Sequence, residues 1–255
     1  MILHAYGDSW TEGEGCNLEI EKDLKNQDLI VYRNQHSWVK SLAERLELKW
    51  INNGKSGNPN AVIFNSVIDD VVNGRIKKND FVIILWSSSL RDYAAFLPRQ
   101  QWVSWSVKHL INLPEKFINS YKSNDTTYDR FLSVYKSLFL KEMFNQNYYN
   151  IVNQNYIIFL QKLFEYYDIK YFMADAFDKM ITDLNSKDDI THLINTNLYY
   201  HFTQKTLKDY LTETNADCFE SKEILKNNPA QHPNKLGYNL ISEEFYNYIV
   251  KNGIL

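Results

Sequence analysis

The order of apolar and polar positions along the chain predicts alternating strands and helices. Short apolar runs bounded by turn residues are typical of strands, and they occur at residues 2–6, 48–51, 81–86 and 169–176. The third run is unbroken, as is typical of a strand buried on both faces of a parallel sheet. Apolar residues spaced by three and four predict three helices: one capped by Ser37, one with Asn58 as N-cap and Pro59 as its first residue, and one near the C-terminus from residue 240.

This alternation predicts one α/β domain over residues 1–255, a three-layer αβα sandwich with helices on both faces of a central parallel sheet. The stretch between the third and fourth predicted strands is far longer than a crossover requires. Apolar residues such as Phe131, Val134 and Leu138 recur in it at helical spacing. We therefore expect a helical insertion over roughly residues 97–168, packed on the sheet.

Composition and charge narrow the function classes. The net charge of −3 argues against a nucleic-acid partner, for which a basic surface is expected. Two isolated cysteines, Cys16 and Cys218, are too few for a disulfide framework or a zinc site, and the histidines lack metal-ligand spacing. No phosphate-binding glycine loop is present, so we expect no cofactor and no metal. No signal peptide and no membrane span are visible, which favours a cytoplasmic protein; the oligomeric state is not predicted.

The first candidate for chemistry is the turn Gly7-Asp8-Ser9-Trp10, directly after the first predicted strand. A serine hydroxyl becomes a useful nucleophile only when a base removes its proton. A helix that begins beside it would offer backbone N–H groups to a developing anion. Such tripeptides are also ordinary turn chemistry, and for Asp8 we favour a structural role as an acceptor of turn N–H groups.

Three further polar segments follow predicted strands or precede the last helix. They are residues 54–58 after the second strand, Ser87-Ser88-Ser89 after the third, and His232-Pro233-Asn234 before the C-terminal helix. In open α/β sheets, active sites form at the carboxyl ends of the strands. We therefore expect these segments to meet Ser9 at one edge of the sheet, where His232 would supply the base.

In this order and spacing, Gly7-Asp8-Ser9, the segment Asn-x-Gly-x-Ser-Gly at 52–57, and His232-Pro233 resemble the GDSL/SGNH hydrolases over nearly the full chain. The resemblance implies a flavodoxin-like fold in which Ser9 is the nucleophile and His232 the general base. It also implies that the N–H groups of Ser9 and Gly57 form part of an oxyanion hole.

The chain departs from the family pattern at two places. The family usually carries Gly-x-Asn-Asp after the third strand, with the asparagine as a third oxyanion donor; here Ser89 falls at that position, with Ser88 beside it. The family also usually has an aspartate three residues before the histidine, where this chain has Pro229. We expect His232 to be oriented by a backbone carbonyl of residues 228–231, by the side chain of Asn228 or Gln231, or by a carboxylate from elsewhere.

The resemblance implies an esterase that removes an O-acyl group, such as acetyl, from a carbohydrate or another small ester substrate. Trp10 and Arg91 are the expected substrate-binding residues, although Arg91 can equally pair with Asp92 at the surface. Two alternatives stay open. The same chemistry would transfer an acyl group to a glycan hydroxyl, and the missing aspartate and asparagine favour a weakly active or non-catalytic binding protein of the same fold.

Overall fold

The computed structural model describes residues 1–88, 91–96, 101–106, 146–181, 190–214, 216–219 and 232–255, with backbone only at 91–96, 101–106, 146–147 and 216. The strands along the chain are β1 Ile2–Tyr6, β2 Lys49–Asn52, β3 Phe81–Trp86, β4 Arg91–Phe96, β5 Gln101–Ser106 and β6 Lys170–Asp175. Four of them form a central parallel sheet in the order β2-β1-β3-β6. The predicted parallel sheet is confirmed.

Helices occupy most of the described chain between the strands. They are α1 Ser9–Glu12, α2 Leu18–Glu21, α3 Asn26–His36, α4 Trp38–Arg45, α5 Asn60–Val72, α6 Gln146–Tyr167, α7 Leu207–Thr214 and α8 Lys235–Lys251, with 3-10 turns at Thr191–Leu193, Thr196–Leu198 and Ala216–Cys218. In this part of the chain no helix is long and apolar enough to cross a membrane.

Alternation along β3 explains the two layers of core. Phe81, Ile83 and Leu85 point to one face, where they join the core formed with α4 and α8. The intervening residues, Val82, Ile84 and Trp86, point to the other face and pack with α5 and α6. Successive side chains of a strand point to opposite faces, so a strand covered on both sides must be apolar throughout. The unbroken run of apolar residues therefore follows from helices on both faces.

The insertion between β3 and β6 differs from the sequence prediction. It was expected to be helical, but β4 and β5 pair antiparallel at its start, from Arg91↔Ser106 to Phe96↔Gln101. Both strands are rich in aromatic and small residues, and aromatic residues are common in strands as well as on the buried faces of helices. Helix α6 fills the end of the insertion as predicted, and residues 107–145 lie outside the described chain. The assignment of 1–255 to one domain stays a prediction.

Helix α5 begins one residue later than the sequence pattern suggested. Asn58 and Pro59 were predicted as N-cap and first helical residue, but Pro59 is the N-cap and Asn60 begins the helix. The Asn58 side chain turns away to the carbonyl of Gly7, 3.4 Å from its amide nitrogen. The tertiary contact with the turn after β1 replaces the local cap.

Candidate active site

The turn after β1 holds Ser9 at the carboxyl end of the sheet. Gly7 is required there, because a Cβ would lie 2.0 Å from Thr11 Oγ1 and 2.8 Å from the carbonyl oxygen of Leu85. Asp8 is the N-cap of α1: its Oδ1 accepts the N–H of Trp10 at 3.0 Å. Asp8 therefore has the turn-forming contact expected of it, and Ser9 becomes the first residue of a helix.

His232 is held in place by the start of α8. Asn234 caps this helix, with its Oδ1 accepting the N–H of Gly237 at 3.1 Å. Its Nδ2 donates to the carbonyls of Asp217 at 2.6 Å and Phe219 at 3.0 Å. The residues after His232 are thus bound on two sides, which fixes where the chain presents the imidazole.

The structure brings Ser9 and His232 together although 223 positions separate them. Ser9 Oγ lies 3.1 Å from His232 Nε2, and both residues are only 5% exposed. This distance is within the hydrogen-bond reach that proton transfer from a hydroxyl to an imidazole requires. The pair can therefore act as nucleophile and base.

The loop after β2 packs directly against α1. A Cβ on Gly54 would lie 2.5 Å from the backbone nitrogen of Glu12, so only glycine allows this approach. Asn52 fixes the loop, because its Nδ2 donates to the Thr11 carbonyl at 2.7 Å and its Oδ1 accepts the Gly54 N–H at 2.9 Å. Gly57 has a φ of +82°, which favours glycine.

Two backbone N–H groups at this edge are available to an anion. No described residue accepts the N–H of Ser9 or that of Gly57. Ser9 is the first residue of a helix, where N–H groups have no intrahelical acceptor. The N–H of Trp10, by contrast, is taken by Asp8. These are the two donors that the resemblance implies.

The end of β3 is tied to its neighbours by side-chain hydrogen bonds. Ser87 Oγ donates to Asp8 Oδ2 at 2.7 Å, and Ser88 Oγ donates to Asp178 Oδ2 at 2.7 Å. Asn60 accepts the Ser87 N–H at 2.8 Å and donates to the Ser88 carbonyl at 3.1 Å. The hydroxyl proton of Ser88 is therefore directed at a carboxylate. Ser89, the other predicted donor, lies outside the described residues.

The structure places the remaining predicted site residues as follows. Trp10 was expected to bind substrate, but it is 2% exposed and packs 5.6 Å from Phe177 and 6.2 Å from Phe219 between ring centroids. Its indole packs against these two rings, and its role in binding substrate stays a prediction. Arg91 begins β4, and its side chain is not among those described. Pro229, with residues 228–231 that were expected to orient His232, lies outside the described chain.

Sequence reasoning missed a cluster of buried charges beside Ser9, which we call the arginine cluster. Arg33 of α3 pairs with three glutamates: its Nη1 lies 3.1 Å from Glu12, its Nη2 3.4 Å from Glu14 and its Nε 2.8 Å from Glu21. Glu14 Oε2 lies 3.7 Å from His232 Nε2. The alternation Glu12-Gly13-Glu14-Gly15 was a visible signal, but nothing local points to Arg33.

A different carboxyl group ends β6. Asp175 accepts hydrogen bonds from the Tyr199 hydroxyl and, at 3.2 Å, from the Met180 N–H. Burial raises its pKa to about 7, against the opposing effect of these hydrogen bonds. Among the residues that the structure describes, no group of three or more His, Cys, Asp or Glu is arranged to hold a metal ion.

No protein-family model matches the chain, and no curated protein sequence matches it. The chain is similar to solved structures at low identity. One is a putative lipolytic protein of the G-D-S-L family from Desulfitobacterium hafniense DCB-2, with 14% identity, a TM-score of 0.37, and coverage of 100% of this chain and 99% of that one. Another is the psychrotrophic esterase EstA from Pseudoalteromonas sp., with 14% identity, a TM-score of 0.43, and coverage of 98% and 97%.

A third is a carbohydrate esterase, with 11% identity, a TM-score of 0.43, and coverage of 99% of this chain and 69% of that chain. Likeness at this level carries no argument about chemistry. What the chain does must therefore be argued from its own site.

Proposed function

We propose that this protein is a serine hydrolase of the SGNH type that cleaves an ester through Ser9 and His232. The observation that carries the proposal is the 3.1 Å contact between Ser9 Oγ and His232 Nε2 at the carboxyl end of a parallel sheet. The available N–H groups of Ser9 and Gly57 support it, because an activated serine requires donors aimed at the tetrahedral oxyanion.

The chemistry follows from this geometry. Ser9 Oγ attacks the acyl carbon while its proton passes to His232 Nε2, and the carbonyl oxygen becomes an oxyanion near the two N–H donors. The bond to the leaving alcohol then breaks, and the imidazolium returns the proton to that alcohol. In the second half water attacks the acyl–Ser9 ester and passes a proton to His232, which returns it to Ser9 Oγ as the bond to the acyl group breaks and the carboxylic acid leaves. Each donor to the oxyanion contributes about 3 kcal/mol.

The substrate class rests on the resemblance to SGNH enzymes. We propose an O-acyl group, such as acetyl, on a carbohydrate or another small molecule. The low exposure of both Ser9 and His232 suits a short acyl group that enters a narrow site. Transfer to a glycan hydroxyl instead of water would use the same residues, so the acceptor must be determined by product analysis.

The first prediction is that a fluorophosphonate probe labels wild-type protein at Ser9 and fails to label Ser9→Ala. With short p-nitrophenyl esters, Ser9→Ala and His232→Ala should each lose at least about 10³-fold in kcat/KM. Ser41→Ala, on α4, is the matched control and should keep both labelling and activity. Peptide mass mapping identifies the labelled residue.

Acetylated sugars, run beside long-chain p-nitrophenyl esters, test the substrate class. Release of acetate from the sugars with little turnover of long chains supports the proposal. Labelling of wild type at a level no higher than Ser9→Ala would overturn the serine mechanism and favour a binding protein.

A further inference from the structure

The carboxylate of Glu14 lies on the nucleophile side of His232. Its Oε2 is 3.7 Å from Nε2, the ring nitrogen that also contacts Ser9. An aspartate in a serine triad binds the other ring nitrogen, Nδ1, and holds the tautomer. Glu14 comes instead from the loop between α1 and α2, so its approach is unlike that of a triad aspartate.

Three contacts fix this glutamate. Its Oε1 pairs with Arg33 Nη2 at 3.4 Å, and its Oε2 accepts the hydroxyl of Ser56. Its backbone carbonyl accepts the Tyr238 hydroxyl at 2.6 Å. Arg33 and Ser56 thus hold the carboxylate away from the imidazole, beyond hydrogen-bond distance and within strong Coulombic range. Ser9 keeps its access to Nε2, and the glutamate acts through its charge.

The charge matters at one step of the reaction. When Ser9 attacks, its proton moves to Nε2 and the imidazole becomes an imidazolium. An opposite charge within about 4–6 Å favours this charged form. At 3.7 Å from Nε2, the carboxylate of Glu14 lies inside that range.

We propose that Glu14 is a positioning residue that stabilises the imidazolium form of His232 by its charge, with Arg33 and Ser56 holding it at the required distance. The catalytic part of this inference rests on the proposed function. The interaction between Glu14 and His232 does not, because it exists in the protein without substrate.

Charged and titratable groups reach this region from several elements. Both oxygens of Asp8, beside Ser9, accept hydrogen bonds, from Trp10 and Ser87, and the Tyr238 hydroxyl lies 3.5 Å from the Ser9 carbonyl. The described groups are Glu14 and Asp8 beside α1, Glu12 in α1, Glu21 in α2, Arg33 in α3 and Tyr238 in α8. Glu12 pairs with the same Arg33 and accepts the N–H of Ser56, so it provides a matched control.

The test is Glu14→Gln, which keeps an oxygen for Ser56 and removes the charge. Histidine ring signals are followed by NMR from pH 4 to pH 9 (roughly the range that brackets an ordinary histidine), with His232→Asn assigning the signal. We expect the pKa of His232 to fall by about 1 unit in Glu14→Gln and by clearly less in Glu12→Gln. Glu14→Asp keeps the negative charge but places it farther from His232, because the side chain is shorter. It should give an intermediate fall in the pKa of His232, and it replaces Glu14→Gln in the test if that variant does not fold.

The kinetic counterpart is the pH profile of kcat/KM. In Glu14→Gln the acidic limb should move to lower pH by the same amount as the NMR titration, and the plateau should fall. An unchanged His232 titration in the folded variants, or equal shifts in Glu12→Gln and Glu14→Gln, would overturn the inference. Loss of the proposed function is a separate result: the titration shifts as expected, but wild type neither hydrolyses esters nor labels at Ser9.

Discussion

Two regions near the carboxyl end of the sheet hold acidic side chains with little exposure to solvent, and they differ in whether a positively charged side chain lies beside the carboxyl groups. In the arginine cluster beside β1, three glutamates share Arg33, whose side chain is only 13% exposed. At the end of β6, Asp175 has no arginine or lysine at ion-pair distance among the described residues and is held by the Tyr199 hydroxyl and the Met180 N–H. One place pairs its carboxyl groups with a cation, and the other favours a protonated acid.

The difference shows what a buried charge requires. A carboxylate removed from water is costly unless a counter-charge and hydrogen bonds compensate it. Arg33 supplies five donors in a fixed geometry, which is why a single residue can serve three carboxylates. Asp175 receives two neutral donors, and desolvation outweighs them, so its pKa rises to about 7.

The largest expected effect comes from removing the counter-charge. Arg33→Met leaves Glu12 and Glu21, with side chains 7% and 4% exposed, without their cation. We expect the free energy of unfolding to drop by about 3–5 kcal/mol at neutral pH, because uncompensated buried charges remain. Urea denaturation followed by circular dichroism measures the change.

Arg75→Met is the control for that variant. Arg75 also pairs with two carboxylates, Asp69 and Asp70, but its side chain is 53% exposed. Water screens such pairs, so the loss should be much smaller. Similar losses in the two variants would show that the arginine cluster is no more important to the fold than a surface ion pair.

A smaller effect is expected at Asp175, and it depends on pH. The pKa of Asp175 in the folded protein lies above its value in the unfolded chain. At a pH between these two pKa values, the folded state is protonated and the unfolded state is not. The resulting stability is fully present below the unfolded pKa and is lost as pH rises through about 7. As the pH rises from 5 to 8, the free energy of unfolding of the wild type should therefore fall by roughly 2–3 kcal/mol through this group.

Asp175→Asn should abolish that pH dependence. Asparagine has one acceptor oxygen where Asp175 uses two, so the slope of stability against pH, and not the absolute stability, is the quantity to compare. Asp69→Asn, on the exposed side of α5, should leave the wild-type slope unchanged. An Asp175→Asn slope equal to that of the wild type would mean that the pKa of Asp175 is not raised in the folded protein.

The smallest effect is expected at Ser88, on the β6 side of the site. Its hydroxyl donates to Asp178 at 2.7 Å, so Ser88→Ala should lower kcat by less than about threefold, whereas loss of an oxyanion donor costs about 10²–10³-fold.

Ser89→Ala, at the position of the family's asparagine, should lower kcat by roughly tenfold to a thousandfold with little change in KM. If both variants retain full activity, no serine replaces that asparagine.

Local patterns in the sequence were sufficient for the sheet and for the two residues at the centre of the site. The apolar runs predicted β1, β2, β3 and β6 to within one or two residues, because strands covered by helices must be apolar. The contact between Ser9 and His232 could be predicted because motifs at strand ends converge in a parallel sheet; their catalytic roles stay a proposal. The hairpin of β4 and β5 was missed, because short segments of aromatic and small residues are ambiguous between strand and helix.

Tertiary structure alone decided the charges around these residues. Nothing near Arg33 in the sequence predicts that it would join Glu12, Glu14 and Glu21, because ion pairs form between elements whose relative placement is set by the packing of the whole core. The same holds for the pKa of Asp175, which depends on how completely β6 and its neighbours exclude water. A motif specifies which groups can react, and burial with its counter-charges decides the protonation state in which they do so.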